Sequence, residues 1–185
     1  AMRSVPLGVL PDPAQVRDVA QVQARLTHDT QGGILSSQMV ALMSHFALYE
    51  AAPLREVGGY LGDHLGIPPQ LRAWDGSPVR GPGVGVNTAR AVLQLLQQET
   101  DLLGILRTCI RWGGDTDSVA AIAWGIASAR MREPLPEFLE ADLEPGGRYG
   151  AAFLRALKEM GNPPPEITVY EAGNPHPIGG YGRPR

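Results

Sequence analysis

An all-α fold is predicted by three features of the chain: apolar residues recur at helical spacing in about eight segments, Gly and Pro clusters separate them, and no stretch alternates apolar with polar residues as a half-buried strand would. The 185 residues suit one domain large enough to bury a true core, and a hydrophobic share of 43% supplies the material for it. A formal net charge of -3 argues against a nucleic-acid surface, which needs a basic stripe. No run reaches the apolar length of a membrane span, and no stretch reads as a secretory signal. Cys109 is the single cysteine, so no internal disulfide is possible and a cytoplasmic setting is expected. It falls in an apolar helix and reads as core filler.

Met2 to Pro11 is an apolar, Pro-containing entry without a period. Asp12-Pro13 then sets an N-cap and a proline at the first helical position. The helix that follows should bury Val16, Val19, Ala20 and Leu26 and end near Leu26-Thr27-His28. Gly32-Gly33 should break the chain before Ile34 to Ala52. There Ile34, Leu35, Met39, Leu42, Met43 and Phe46 form a stripe widened by Val40, Ala41 and Ala47. A stripe that wide means the central helix of a bundle, with His45 a core or boundary residue. Pro53 should start a further helix through Leu54, Val57, Leu61 and Leu65.

Residues 66 to 86 are rich in Gly and Pro and read as a long loop, ending Gly81-Pro82-Gly83-Val84-Gly85-Val86. Its glycines could let backbone amides approach a phosphate or ribose, or could simply serve the turn. Asn87-Thr88 should cap a helix holding Ala89, Val92, Leu93, Leu95 and Leu96. Thr100-Asp101 should cap the next, with Leu102, Ile105, Cys109 and Ile110 apolar and Gly113-Gly114 as its stop. A small-residue helix should then run to about Met131, followed by a short Glu137-Phe138-Leu139 helix and an amphipathic segment burying Phe153, Leu154, Leu157 and Met160. From Gly161 the chain turns to Pro, Gly and Asn. This sets a domain over 1–160 and a tail over 161–185.

Chemistry concentrates in Gly113-Gly114-Asp115-Thr116-Asp117-Ser118, directly ahead of the Ala/Ile/Gly helix. Asp117 or Ser118 is the expected N-cap. Two carboxylates and a hydroxyl at the mouth of a buried helix need protons, hydrogen bonds or a metal, and such hard oxygens suit magnesium, calcium or manganese. Asp-Thr-Asp-Ser is equally a good capping sequence, and both readings stand on spacing alone. A third, the Asp-x-Asp-x-Thr/Val motif of haloacid-dehalogenase-type phosphatases, requires the tip of an apolar strand, whereas a double glycine and a helical pattern come first here.

That stretch resembles the Gly-Gly-Asp-x-Asp-Thr/Ser signature of the ADP-ribosylglycohydrolases. Ala1-Met2-Arg3-Ser4-Val5-Pro6-Leu7-Gly8 is similar to the family's Ala-Met-Arg-x-x-Pro-Leu-Gly, and Leu26-Thr27-His28 to its Leu-Thr-His. The resemblance spans roughly residues 1 to 160. It implies an orthogonal helical bundle and metal-assisted hydrolysis of the glycosidic bond that links ADP-ribose to an acceptor, with an ADP-ribosylated protein as the expected substrate. It implies two magnesium or manganese ions with Asp115, Asp117 and Ser118 as ligands, and it puts His28, Gly83, Val84, Gly85 and Thr116 on the substrate. His28 also reads as a helix-end cap. Trp124 departs from the family, which prefers a small residue there.

The family's upstream Thr/Ser-Asp-Asp motif and catalytic carboxylate are found nowhere in the chain. The chain is therefore expected to be the C-terminal portion of the fold, lacking its N-terminal part. The general base and the missing half would come from a precursor, a second chain or a swapped partner, and the isolated chain would be inactive. The alternative is a protein of the same fold that binds ADP-ribose, or serves a structural role, without turning it over.

Overall fold

In the computed structural model, which describes residues 1–134, 136 and 139, the fold is carried by α1 (Pro13–Arg25), α2 (Gln31–Tyr49), α3 (Val57–Leu65), α4 (Pro69–Arg72), α5 (Val84–Gln98), α6 (Leu102–Trp112) and α7 (Thr116–Ala127). Ahead of them Met2–Val9 forms a 3-10 helix where an irregular entry was expected. Eight residues is long for that geometry, whose hydrogen bonds are weaker than an α-helix's. Packing on α2 sustains it. Ser4 is fully buried with its Oγ 2.7 Å from that of Ser37, and Ser37 Oγ lies 2.9 Å from the Ala20 carbonyl of α1. A Cβ on Gly8 would fall 2.5 Å from the His45 backbone nitrogen, so only glycine allows this approach.

Asp12 caps α1 as the sequence predicts, accepting from the Ala14 amide at 2.9 Å, with Pro13 at the first helical position. The helix buries a narrow stripe at a spacing of four, Val16, Ala20 and Ala24. Val19 lies off that stripe at 36% exposure, and Leu26 falls past the last turn at 77%, so neither belongs to the core as expected.

Helix α2 is the centre. Thr30 caps it by accepting from the Gly33 amide at 3.0 Å, so Gly32-Gly33 lies inside the first turn and is not a break. Gly33 is needed because a Cβ there would meet the His28 carbonyl at 2.4 Å. From Ser36 to Ala47 every residue but Gln38 is buried. The 3-10 helix, α1, α3, α5 and α7 all pack on it. Each fully buried large side chain, such as Met39 or Leu42, contributes about 1.5–3 kcal/mol relative to exposure. Apolar surface left bare by a missing half is therefore not what this helix shows. Its C-terminal carbonyls are also satisfied, since the Arg130 guanidinium donates to those of Phe46, Ala47 and Glu50.

His45 is buried within α2, as a core histidine. Its Nε2 donates to the Pro11 carbonyl at 3.3 Å and its Nδ1 accepts from the Tyr60 hydroxyl at 2.8 Å. Burial holds its pKa below the ordinary imidazole range.

The stretch after α3 is less irregular than expected. It contains α4 and a single isolated bridge between Val79 and Gly114, the one β pairing among the described residues. Helix α5 begins at Val84, ahead of the expected Asn87-Thr88 cap, because Gly83 adopts φ 77° and its carbonyl takes the Val86 and Asn87 amides. Asp101 caps α6 by accepting from the Gly104 amide at 2.7 Å. Ile110 faces out at 63% exposure, whereas Ile105 and Cys109 are buried. Trp124 finds a place in α7 by donating its indole N–H to the Leu102 carbonyl at 2.8 Å, which ties α7 to the start of α6.

The chain divides into two compact units, Ala1–Glu133 and Pro134–Arg185, and all of these elements belong to the first. Most of the expected Glu137–Leu139 helix, the segment with Phe153 to Met160 and the tail over 161–185 lie outside the described residues. Among the described residues no helix is long and apolar enough to cross a membrane.

Candidate active site

A cleft of about 560 Å³ opens where the N-terminal ends of three helices meet. One wall is Ala1 to Arg3 with Thr27, His28, Thr30, Gly32, Gly33 and Ser36 around the start of α2. A second is Gly83 to Val86 and Thr88 at the start of α5, and a third is Asp115, Ser118 and Ile122 at the start of α7. A helix N-terminus leaves amides without intrahelical partners and carries partial positive charge. Such ends sharing one cleft favour an anionic or oxygen-rich ligand.

Glycine makes each entry possible. Gly81 and Gly83 adopt φ 74° and 77° before α5, and Gly113 and Gly114 adopt 75° and 81° before α7. A Cβ on Gly85 would sit 3.1 Å from Ser36 Oγ, so α5 and α2 come close at the cleft floor. The turn into α7 is pinned from outside the helix. The Asp115 amide donates to the Val79 carbonyl at 2.9 Å, and the Val79 amide donates to the Gly113 carbonyl at 3.4 Å. This bridge lets α7 start two or three residues earlier than the sequence suggests. Its N-cap is Asp115, in place of the expected Asp117 or Ser118, and the Asp115 side chain makes no cap hydrogen bond. Its carboxylate oxygens are therefore not used up on the helix backbone.

Of the residues singled out in the sequence, His28, Gly83, Val84, Gly85, Asp115 and Ser118 line this one cleft. Thr116 and Asp117 sit beside it in the first turn of α7 and are not among the lining residues. Asp117 is exposed, and a hydrogen bond with the Asp115 side chain, aided by the Ser118 amide, holds its carboxyl below the usual carboxylate range. The Thr116 carbonyl accepts from the Cys109 thiol at 3.2 Å. Burial pushes that thiol's pKa up, which suits packing and not nucleophilic attack. Among the described residues, no three His, Cys, Asp or Glu side chains are grouped to hold a metal ion.

Other lining residues were not assigned to the site from the sequence: Arg3, Thr27, Ser36 and Thr88. Ser36 and Thr88 each stand a few residues inside a glycine-containing helix start, a signal that spacing could have supplied. Arg3 and Thr27 each lie in a stretch that resembles a family motif, but only folding joins the two. The Arg3 guanidinium donates to Thr27 Oγ1 at 2.6 Å, and Thr27 Oγ1 lies 2.9 Å from His28 Nδ1.

Set beside known proteins, the chain matches the ADP-ribosylglycohydrolase family over residues 1–163. No curated protein and no solved structure matches it. The family match begins at residue 1, which overturns the expectation of a C-terminal portion lacking its N-terminal part. The partner expectation falls with it, namely a missing half supplied by a precursor, a second chain or a swapped copy. The physical reason lies in α2, whose faces are covered by the chain's own 3-10 helix, α1, α3, α5 and α7.

Proposed function

The chain belongs to the ADP-ribosylglycohydrolase family, and from that premise we propose that it hydrolyses the glycosidic bond between ADP-ribose and an acceptor group, with a divalent metal at the start of α7. The observation that carries this reading is the meeting of three helix N-termini around one cleft that Asp115 and Ser118 line. The Val84 and Gly85 amides in the first turn of α5 suit a pyrophosphate, and the acidic turn suits the ribose end. In the reaction the bond from the anomeric carbon to the acceptor breaks, the oxygen of water takes its place, and a proton passes to the acceptor.

The residues present fit a hard cation in kind. Asp115 is the N-cap of α7 and Asp117 lies in its first turn, two carboxylates of the hard-oxygen kind that such a cation takes. Asp115 spends no oxygen on capping, and Ser118 adds a hydroxyl at the cleft wall. Asp115, Asp117 and Ser118 would hold magnesium or manganese, with waters and ligand oxygens completing about six positions. The metal would orient the ribose hydroxyls and water and stabilise developing charge. His28, Gly83, Val84, Gly85 and Thr116 are assigned to the substrate in the same proposal. A cytoplasmic setting goes with it, supported by a lone buried cysteine.

Incubating the chain with an ADP-ribosylated test protein, with and without magnesium, tests the reading. Magnesium-dependent release of free ADP-ribose is expected. Binding of ADP-ribose without release would favour a binding protein of the same fold, and neither binding nor release would refute both.

A further inference from the structure

We infer that Arg3 and Thr27 are positioning residues that set the tautomer of His28, so that its Nε2–H faces the ligand as a donor; this rests on the proposed ADP-ribose site. A guanidinium can only donate, so Thr27 Oγ1 must accept in the 2.6 Å bond from Arg3 Nη2. That bond occupies one lone pair of the hydroxyl and draws electron density from it, leaving its own hydrogen the better donor. His28 Nδ1 stands 2.9 Å away and is able to accept it. An Nδ1 that accepts puts the imidazole hydrogen on Nε2. His28 lines the cleft between Arg3 and the start of α2, and Nε2 is the ring nitrogen that Thr27 leaves unused. A donor there suits the acceptor oxygens of a pyrophosphate.

The relay is fixed at both ends by the fold. Arg3 lies in the 3-10 helix held on α2 by the buried Ser4–Ser37 contact. His28 is tied down by its amide, bonded to the Ala24 carbonyl at 2.8 Å, and by its carbonyl, which takes the Thr30 amide at 2.8 Å. A residue at the very start of the chain thereby acts on a cleft residue through the intervening threonine.

Nitrogen-15 NMR of the His28 ring in the full chain reads the tautomer directly, in a mildly alkaline buffer where free imidazole is neutral. Ligand-free wild type should show the Nε2–H form; a dominant Nδ1–H form overturns the inference. Thr27→Val removes the hydroxyl at nearly constant shape and should give a tautomer mixture. It should also weaken ADP-ribose by about ten-fold in calorimetry, the worth of about one hydrogen bond. Thr27→Ser should restore both readouts. Wild-type binding that Thr27→Val leaves unchanged refutes the relay and spares the proposed function. A wild type that binds no ADP-ribose with magnesium present refutes the proposed function itself and the relay's ligand role with it.

Discussion

Gly114→Ala is the sharpest probe of how the acidic turn is built. Gly114 sits at φ 81°, and a Cβ there would lie 2.3 Å from the Val79 carbonyl oxygen and 2.5 Å from its nitrogen. Both are backbone atoms, so no side chain can rotate aside. Relief requires Val79 to retreat, which breaks the Asp115 amide bond to the Val79 carbonyl and the Val79 amide bond to Gly113. The left-handed conformation alone costs an alanine about 1 kcal/mol, and each lost hydrogen bond adds about 1 kcal/mol. The total comes to about 3 kcal/mol. Gly66 is the control: it has φ 64° with nothing within 4 Å of a Cβ, so Gly66→Ala should cost about 1 kcal/mol. Urea denaturation of the two variants measures the difference, and calorimetry should show ADP-ribose affinity falling only for Gly114→Ala, because only that turn carries Asp115. Equal destabilisation by the two substitutions would refute the claim that Val79 presses on Gly114.

Asp117→Ala should abolish magnesium binding in calorimetry, and unchanged affinity would remove Asp117 from the ligand set. Val84 is 40% exposed at the cleft wall, so Val84→Asp should weaken ADP-ribose binding by placing a carboxylate near the phosphates while Tm holds; a matching loss of both would make that wall structural. Stability should fall in acid through His45. Its folded pKa lies below the ordinary value, so as pH drops under about 6.5 the unfolded chain takes up a proton first, and the contribution present above that value drains away until the folded pKa is passed. Denaturation midpoints across that window should slope less in His45→Gln, and identical slopes would assign the acid sensitivity elsewhere.

Helix identity was legible because apolar spacing reports it locally. The width of the stripe from Ile34 to Ala47 named the central helix, and Asp12-Pro13 and Asp101 named caps whose bonds form within three residues. Where the sequence reading missed, a neighbouring cap or turn set the helix boundary in place of the expected one. Gly32-Gly33 and the Asn87-Thr88 pair read as boundaries, yet Thr30 and Gly83 start those helices earlier. Leu26 reads as core by its chemistry, but the helix that would bury it ends one residue too soon.

The sequence by itself determined an all-α chain, a resemblance to a family, and an acidic turn between a double glycine and a small-residue helix. Tertiary structure alone decided that Val79 meets Gly114 and that Arg3 reaches Thr27. The physical reason is range. Periodicity and capping depend on neighbours within a turn or two, whereas these contacts depend on backbones that approach across 24 to 35 positions of chain wherever a missing Cβ or a buried hydroxyl lets them.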